Sequence, residues 1–189
     1  MSFRTIATLV FPEVMSLDVT GPMQVFASAN VERRRQGQPE HYRLVLLGQE
    51  LAPVATSSGI RLCVDALWQD VQPETLDTLL VPGGAGVVPQ YENAALLAWL
   101  KTAEPRIRRL GSVCSGALIL AAAGLLDKRT VTTHWADVET MRSRYPSVQV
   151  DADRLHTYDP REDGAAHLFT SAGVTAGIDL ALALVEADL

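Results

Sequence analysis

Cysteine and long hydrophobic runs are the scarcest features of this sequence. Its two cysteines, Cys63 and Cys114, are too few for a disulfide framework in a chain of 189 residues, and they are typical of a reducing compartment. The chain does not open on a charged and then apolar leader, and no run of about 18 apolar residues occurs in it. We therefore expect a cytoplasmic protein that does not associate with a membrane.

Positive charge is also in short supply. Lysine and arginine together number 16 against 22 acidic residues, which gives a formal net charge of −6. Such a balance argues against this chain itself binding a phosphate backbone. Its one basic cluster, residues 33–35, lies beside Glu32 and Gln36 and is typical of a solvated helix end. Any binding to DNA is therefore predicted to belong to a domain outside this chain.

Signals for metals and nucleotides are missing as well. The histidines at positions 41, 134, 156 and 167 share no ligand spacing with the two cysteines. No Walker motif is present, and the glycines of residues 83–86 lack the rest of a dinucleotide-binding fingerprint. We expect neither a metal nor a cofactor.

The pattern that is present is an alternation of buried strands and helices. Hydrophobic residues at 48% and charged residues at 20% indicate a globular protein. Strands that run between helices predict an α/β fold with a right-handed, mostly parallel sheet, covered on both faces and forming one domain over residues 1–189. The predicted strands are 5–11, 42–47, 60–64, 75–81, 110–113, 130–131, 148–150, 155–158 and 168–171, with a further β-like piece near Val54, and the predicted helices are 18–34, 94–102, 117–123, 134–145 and 175–189.

The most informative stretch surrounds Cys114. A short buried strand, residues 110–113, leads into this cysteine, Ser115 and Gly116 form a turn, and a helix follows that Gly124 closes. Cysteine, small residue and glycine have the layout of a nucleophile elbow with a thiol in place of the serine. The start of the helix is expected to lower the pKa of the thiol. The alternative is a buried structural cysteine.

Two other predicted strand ends carry candidate site residues, because function in an open α/β sheet collects outside the carboxyl ends of the strands. Glu13 and Asp18 follow the first strand, and Gly83 and Gly84 follow the strand at 75–81. The backbone N–H groups of the two glycines are candidates to bind an oxyanion. Asp18 is alternatively a helix N-cap, and the glycine pair alternatively only a tight turn.

Together these strand ends predict a nucleophile site for an acyl-like or nitrile-like electrophile. It would combine the thiol of Cys114, the N–H groups of Ser115 and Gly116, and a nearby carboxylate. His134 is a further candidate, as a base for the thiol. We favour a structural role for His134 at the start of its helix, since no sequence spacing brings it to the cysteine.

These residues together resemble the ThiJ/PfpI family, within the class I glutamine amidotransferase-like fold. The resemblance implies a flavodoxin-like three-layer sandwich, a strained cysteine at the elbow and a homodimer, and it makes Asp18 the acidic neighbour of Cys114. Its markers are spread over nearly the whole chain, in residues 11–12, 17–22, 79–84, 112–116, 132–135 and 170–179.

Two branches of the family fit the sequence. The first is the amino-terminal, ligand-sensing domain of AraC-type transcriptional regulators, which residues 123–127, 144–146 and 181–189 resemble most. The second is isonitrile hydratase, in which the cysteine attacks the isonitrile carbon with help from the acidic residue. We rank the regulator first, with an unknown small-molecule ligand, the hydratase second, and a redox or aldehyde-stress protein third.

Departures from the family pattern reduce the number of activities that the resemblance implies. Family proteases carry a histidine directly after the cysteine, where this chain has Ser115, and residues 171–189 lack the downstream histidine of glutamine amidotransferases. The resemblance therefore does not imply peptidase or glutaminase activity. The last helix has no terminating glycine or proline, so we expect the native protein to continue past Leu189 into a helix-turn-helix domain.

Overall fold

A seven-stranded sheet forms the centre of the protein, seen in a computed structural model that describes residues 3–160 and 166–189. From one edge to the other the strand order is β10-β11-β7-β6-β1-β2-β5, and all neighbours are parallel except the antiparallel pair β10 and β11. These strands are β1 (Arg4–Leu9), β2 (Tyr42–Gly48), β5 (Ala66–Leu67), β6 (Thr78–Val81), β7 (Arg109–Val113), β10 (His156–Pro160) and β11 (Ala166–Ser171). The mostly parallel sheet predicted from the sequence is confirmed.

Two short strand pairs lie outside this sheet, namely β3 (Val54–Ala55) with β4 (Arg61–Leu62), and β8 (Thr130–Val131) with β9 (Gln149–Val150). The α-helices of the described residues are α1 (Ser16–Arg35), α2 (Val87–Tyr91), α3 (Ala94–Ala103), α4 (Gly116–Ala122), α5 (Val138–Arg144) and α6 (Val174–Glu186). None of them is both long enough and apolar enough to cross a membrane.

Helices cover both faces of the sheet and complete the three layers. On one face, α1 and α6 pack together and bury Phe26 and Leu180 against the strand residue Ile6. On the other face, Leu100 of α3 and Ile119 of α4 belong to the larger core cluster, which includes strand residues of the same sheet. Strands buried on both sides need apolar residues in continuous runs, which is what the sequence of the central strands shows. The flavodoxin-like α/β sandwich is thereby confirmed.

The parallel register brings three strand ends to the same edge of the sheet. Leu79 of β6 lies opposite Ala7 of β1 and also opposite Leu110 of β7. The segments that follow these strands therefore emerge side by side. They carry Asp18, Gly83 and Cys114 in turn.

The other edge of the sheet holds a buried ionic cluster around Asp188. Its carboxylate accepts hydrogen bonds from Arg4, from Arg108 at 3.0 Å and from the Tyr42 hydroxyl at 3.0 Å, and forms an ion pair with Arg109 at 3.0 Å. Together these donors lower the pKa of Asp188 even though burial alone would raise it. The cluster ties the end of α6 to the start of the central strands.

Several element boundaries differ from the sequence predictions. Helix α1 begins at Ser16, so Pro22 lies inside it rather than in its first turn. The predicted helix over 134–145 is a 3₁₀ turn at Trp135–Asp137 followed by α5. The predicted strand over 75–81 is shortened to β6, because a 3₁₀ turn occupies Pro73–Thr75.

Two elements, α2 and β5, were not expected from the sequence at all, because each is only a few residues long. The sequence also predicts a polar turn at residues 159–164, and most of it falls on residues 161–165, which lie outside the described residues.

Candidate functional site

Cys114 occupies a strained corner between β7 and α4. Its φ angle is +58°, in the left-handed region that side chains rarely adopt, so the elbow predicted from the sequence has the strained backbone that the resemblance implied. Two hydrogen bonds hold it there. The Cys114 N–H donates to the carbonyl of Ser171 at 2.9 Å, and Thr133 Oγ1 donates to the carbonyl of Cys114 at 3.1 Å.

Close packing behind the elbow depends on Gly116. A Cβ atom at this position would lie 2.0 Å from the carbonyl oxygen of Val81, far inside contact distance. Only glycine therefore lets the start of α4 approach the end of β6 so closely. The small residue predicted for the turn, Gly116, is therefore required by the close packing of α4 on β6.

The thiol of Cys114 is almost fully buried, with 5% of the residue exposed. Ser115 is its nearest polar neighbour, since the hydroxyl lies 3.6 Å from the sulfur and the backbone N–H also bonds to it. Both groups stabilise a thiolate and lower the pKa, as predicted for the start of a helix. Two opposing effects on this pKa, burial and the charge of Asp18, are larger.

Burial and the charge of Asp18 raise the pKa of Cys114 to about 11. The expected lowering of this pKa is therefore wrong for this structure, because a buried sulfur beside a carboxylate gains more from its proton than from two hydrogen bonds. At neutral pH the thiol is protonated. The redox and aldehyde-stress hypothesis depends on a thiolate at this position, and it stays a prediction.

Asp18 lies in the first turn of α1 and has no exposed surface. It is not the N-cap, because that position belongs to Met15, and the structural alternative for Asp18 is thereby wrong. Its Oδ2 accepts a hydrogen bond from the N–H of Gly83 at 3.0 Å, while its buried Oδ1 has no donor among the described residues. The carboxyl is turned towards the elbow rather than towards its own helix.

Burial raises the pKa of Asp18 to about 6, against lowering contributions from the Gly83 N–H, the Cys114 thiol and the charge of His134. This carboxyl therefore exchanges a proton close to neutral pH, next to a thiol that keeps its own. Such a pair can donate a proton to a bound molecule and take it back.

The glycines after β6 hold the two sides of the site together. A Cβ atom on Gly83 would lie 2.6 Å from the Ser115 nitrogen, so this residue is wedged between Asp18 and the elbow. Its N–H is bonded to Asp18 rather than aimed at an open position. Gly84, at a φ of +124°, is packed against the backbone of Met15 and Glu13, which fits the tight-turn alternative.

The two secondary candidates have different positions. His134 caps the 3₁₀ turn after β8, where its Nδ1 accepts the Ala136 N–H at 3.3 Å, and its imidazole lies close enough to Asp18 to interact with it electrostatically. It is thus a structural residue that borders the site. Glu13, at a φ of +61°, is exposed, and its backbone rather than its carboxylate is engaged, with the N–H donating to Ala55 and the carbonyl accepting from Gly86.

Some residues that fix the elbow or affect the pKa of Cys114 were not found from the sequence. Thr133 and Ser171 fix the elbow through backbone contacts, and the charge of Asp137 raises the pKa of Cys114 slightly. The motifs around residues 132–135 and 170–179 pointed to these segments without assigning the contacts. Within residues 3–160 and 166–189, no cluster of three or more His, Cys, Asp or Glu side chains could hold a metal ion.

The fold and the site define a class: an amidotransferase-like α/β domain with a cysteine at the strand–helix corner and an acid beside it. Residues 4–187 match the DJ-1/PfpI family. The chain belongs to the DJ-1/PfpI family, also called ThiJ/PfpI.

Relatives in this family include both an enzyme and regulators. The chain is 38% identical over 181 residues to the isonitrile hydratase of Pseudomonas putida, which covers 96% of this chain and 70% of that protein. It is 32% identical over 144 residues to the HTH-type transcriptional regulator CdhR of Pseudomonas aeruginosa, covering 76% of this chain and 40% of that protein. The chain thus spans less than half of that regulator.

Solved structures share the fold over almost the full chain. A ThiJ/PfpI family protein from Pseudomonas syringae superposes with a TM-score of 0.80 at 27% identity, covering 98% of this chain and 69% of that one. An AraC family transcriptional regulator from Pseudomonas putida superposes with a TM-score of 0.75 at 20% identity, covering 97% of this chain and 91% of that one. At this identity the second likeness concerns the fold alone.

Proposed function

We propose that the chain is the ligand-sensing domain of an AraC-type transcriptional regulator, with its ligand bound beside the pair formed by Asp18 and Cys114. The observation that carries this proposal is the fully buried carboxyl of Asp18 beside the elbow, whose Oδ1 meets no donor in hydrogen-bond geometry although the Cys114 thiol interacts with the carboxyl. A buried acceptor without a donor is costly, and a small polar ligand that supplies an N–H or O–H group removes the cost. Likeness to the regulator CdhR supports the assignment to this branch.

The protonated thiol favours sensing over catalysis. A pKa of about 11 leaves very little thiolate at neutral pH, and a thiol is a weak nucleophile. Ligand binding at Asp18 would change the charge beside Cys114, whose N–H donates to the carbonyl of Ser171 just before α6. Under this proposal, that hydrogen bond would transmit ligand binding to α6.

The reading frame of the gene tests the regulator directly. We expect the frame to continue past the codon for Leu189 into a basic segment with helix-turn-helix patterning. A stop codon shortly after Leu189 would contradict the proposal.

The pocket assignment has its own test in the full-length protein. Cys114→Ser and Asp18→Asn are expected to alter the set of transcripts that respond to the regulator, measured in a deletion strain that carries each variant. Cys63→Ser, at an exposed cysteine, is the matched control. Unchanged regulation in both site variants would place the ligand elsewhere.

We also propose that the domain acts as a cytoplasmic homodimer. Leu17 of α1 and Leu182 of α6 are 43% and 53% exposed, and both line one surface groove between these two helices. Their exposure favours an apolar contact between copies of the chain. Sedimentation of Leu182→Glu is expected to show a monomer, whereas Leu155→Glu, at another exposed leucine, should sediment like the wild type. Identical sedimentation of all three would contradict this interface.

An isonitrile hydratase-like activity is the second candidate, favoured by the 38% identity that extends over 96% of the chain. The Cys114 thiol would add to the terminal carbon of R–N≡C, with the sulfur and the thiol proton both ending on that carbon, to give a thioimidate bonded to the protein, R–N=CH–S–Cys114. Water would then attack this carbon, the sulfur would leave with a proton relayed by Asp18, and R–NH–CHO would be released. All atoms balance without a cofactor.

Turnover of cyclohexyl isonitrile separates the two candidates. If the hydratase proposal is correct, the purified chain forms the N-formamide, and Cys114→Ala abolishes it while Cys63→Ala does not. Absence of product at high enzyme concentration would contradict the hydratase and leave the sensing proposal standing.

A further inference from the structure

A second cavity lies beyond the carboxyl ends of β1 and β2, on the side away from Cys114. It has a volume of about 400 Å³, within the usual range for sites that bind small molecules. Its walls come from four parts of the chain: the end of β1, the segment after β2, the turn that begins at Trp68 after β5, and the start of α3 with the helix before it. We call it the Trp68 pocket, lined in part by Phe11, Gln49, Glu50, Trp68, Gln90 and Leu96.

The Trp68 pocket is separate from the site at the elbow. Neither Cys114 nor Asp18 lines it. The segment that follows β1 forms the partition, because the Glu13 N–H donates to Ala55 on the pocket side and the Glu13 carbonyl accepts from Gly86 on the other. A ligand in this pocket would therefore leave the elbow free.

Its apolar walls are preformed. Phe11, Trp68 and Leu96 are exposed by only 5%, 7% and 2%, so their side chains are fixed in the core rather than free to collapse into the cavity. The indole of Trp68 is further held by the ring of Trp99, with 5.7 Å between the ring centroids. A rigid aromatic and aliphatic wall suits the apolar body of a ligand.

The polar groups of the pocket are acidic or neutral. Glu50 is the one charged residue among those that line the pocket, and Gln49 and Gln90 are uncharged polar residues of the same lining. No arginine or lysine lines the pocket, and Glu50 forms no salt bridge within the described part of the chain. A cationic group is the chemistry that this carboxylate and the aromatic wall bind in common.

We propose that the Trp68 pocket binds a small organic ammonium ion with an apolar body. The body would pack against Phe11, Trp68 and Leu96, and the ammonium group would lie towards Glu50. This site is distinct from the proposed ligand site at Asp18 and does not depend on it. Its ligand would be recognised by charge and apolar packing, without any reaction.

Titration with phenethylammonium, followed by two-dimensional NMR of the full chain, tests the pocket. We expect saturable shifts at the Trp68 indole N–H and at the amides of residues 49–52, 54 and 55, with the amide of Cys114 unaffected. Neutral phenethyl alcohol is the matched probe for the apolar part and should bind more weakly, by about fivefold or more.

Two variants separate the charge from the cavity. Glu50→Gln is expected to weaken phenethylammonium about fivefold and to leave phenethyl alcohol unchanged, whereas Glu186→Gln, at an exposed glutamate on α6, changes neither. Ala52→Trp, on the exposed loop that borders the cavity, should fill it and abolish binding of both probes.

Three outcomes would overturn the proposal. Shifts that do not saturate, or that cluster away from the Trp68 pocket, would show that the cavity takes no such ligand. Equal affinities of Glu50→Gln and Glu186→Gln for phenethylammonium would refute the role of the carboxylate. Unchanged binding in a folded Ala52→Trp variant would place the ligand elsewhere.

Discussion

Replacing Asp18 with asparagine removes a buried acid that the fold keeps at a cost. Its pKa is about 6 in the folded protein against an ordinary value of 3.8, and each pKa unit corresponds to 1.36 kcal/mol. The difference of about two units means that ionised Asp18 reduces the free energy of unfolding by about 3 kcal/mol.

The sign follows from where the proton is held. Because the folded pKa is raised, the native protein keeps this proton over a range in which the unfolded chain has released it. The contribution of Asp18 to stability therefore falls as the pH rises from about 4 through about 6, and the loss is complete above that. Asparagine never ionises and escapes this loss, while its side-chain oxygen can still accept the N–H of Gly83.

Urea unfolding of wild type and Asp18→Asn over a series of pH values measures the effect. We expect equal stabilities near pH 4 and an advantage of about 3 kcal/mol for the asparagine variant near pH 8. Asp70→Asn, at an exposed aspartate, is the control and should show no such dependence. A difference that is constant with pH, or an asparagine variant that is less stable at pH 8, would refute the reasoning.

Three further substitutions test the packing and the strain. Asp188→Asn should lower the free energy of unfolding by about 3 kcal/mol or more, measured in urea near neutral pH, because it leaves the buried guanidinium of Arg109 without its carboxylate. Gly116→Ala should fail to fold or lose about 3 kcal/mol in the same assay, since its Cβ would meet a carbonyl oxygen at 2.0 Å. Cys114→Gly should be about 1 kcal/mol more stable than Cys114→Ala by thermal unfolding, because the φ of +58° suits glycine.

Controls for these variants come from the same chain. Glu186→Gln lies close to Asp188 in sequence but is exposed, so its stability should match the wild type. Gly173→Ala adds a Cβ with nothing nearer than 3.8 Å and should be tolerated. Full stability of Asp188→Asn or Gly116→Ala, or an alanine variant at 114 that is as stable as the glycine variant, would contradict the corresponding argument.

The order of elements and the elbow could be predicted because their signals are local. Continuous apolar runs mark the central strands, and the sequence around Cys114 contains the strand, the small turn residues and the helix formers together. The position of Asp18 beside the elbow was implied by family resemblance and agrees with the parallel register of β1, β6 and β7.

Other features depend on distances that no local pattern encodes. The pKa of Cys114 is decided by burial and by the charge of Asp18, which is far from Cys114 in the sequence and is brought next to it by the fold. His134 reaches Asp18 only because β8 ends beside the elbow, and Asp188 meets its arginines only because α6 returns across the sheet. The Trp68 pocket is likewise assembled from segments far apart in the chain.

The titration of Cys114 tests the central claim, that the elbow holds a buried, protonated thiol paired with Asp18. Thiolate absorbance of the Cys63→Ser variant, after subtraction of the tyrosinate signal of a Cys63→Ser, Cys114→Ser double variant, would follow Cys114 alone as the pH is raised. We expect the midpoint of the thiol titration at about 11, and a lower midpoint when Asp18→Asn removes the neighbouring charge. A midpoint at or below the ordinary thiol range of about 8.5, unchanged by Asp18→Asn, would contradict it.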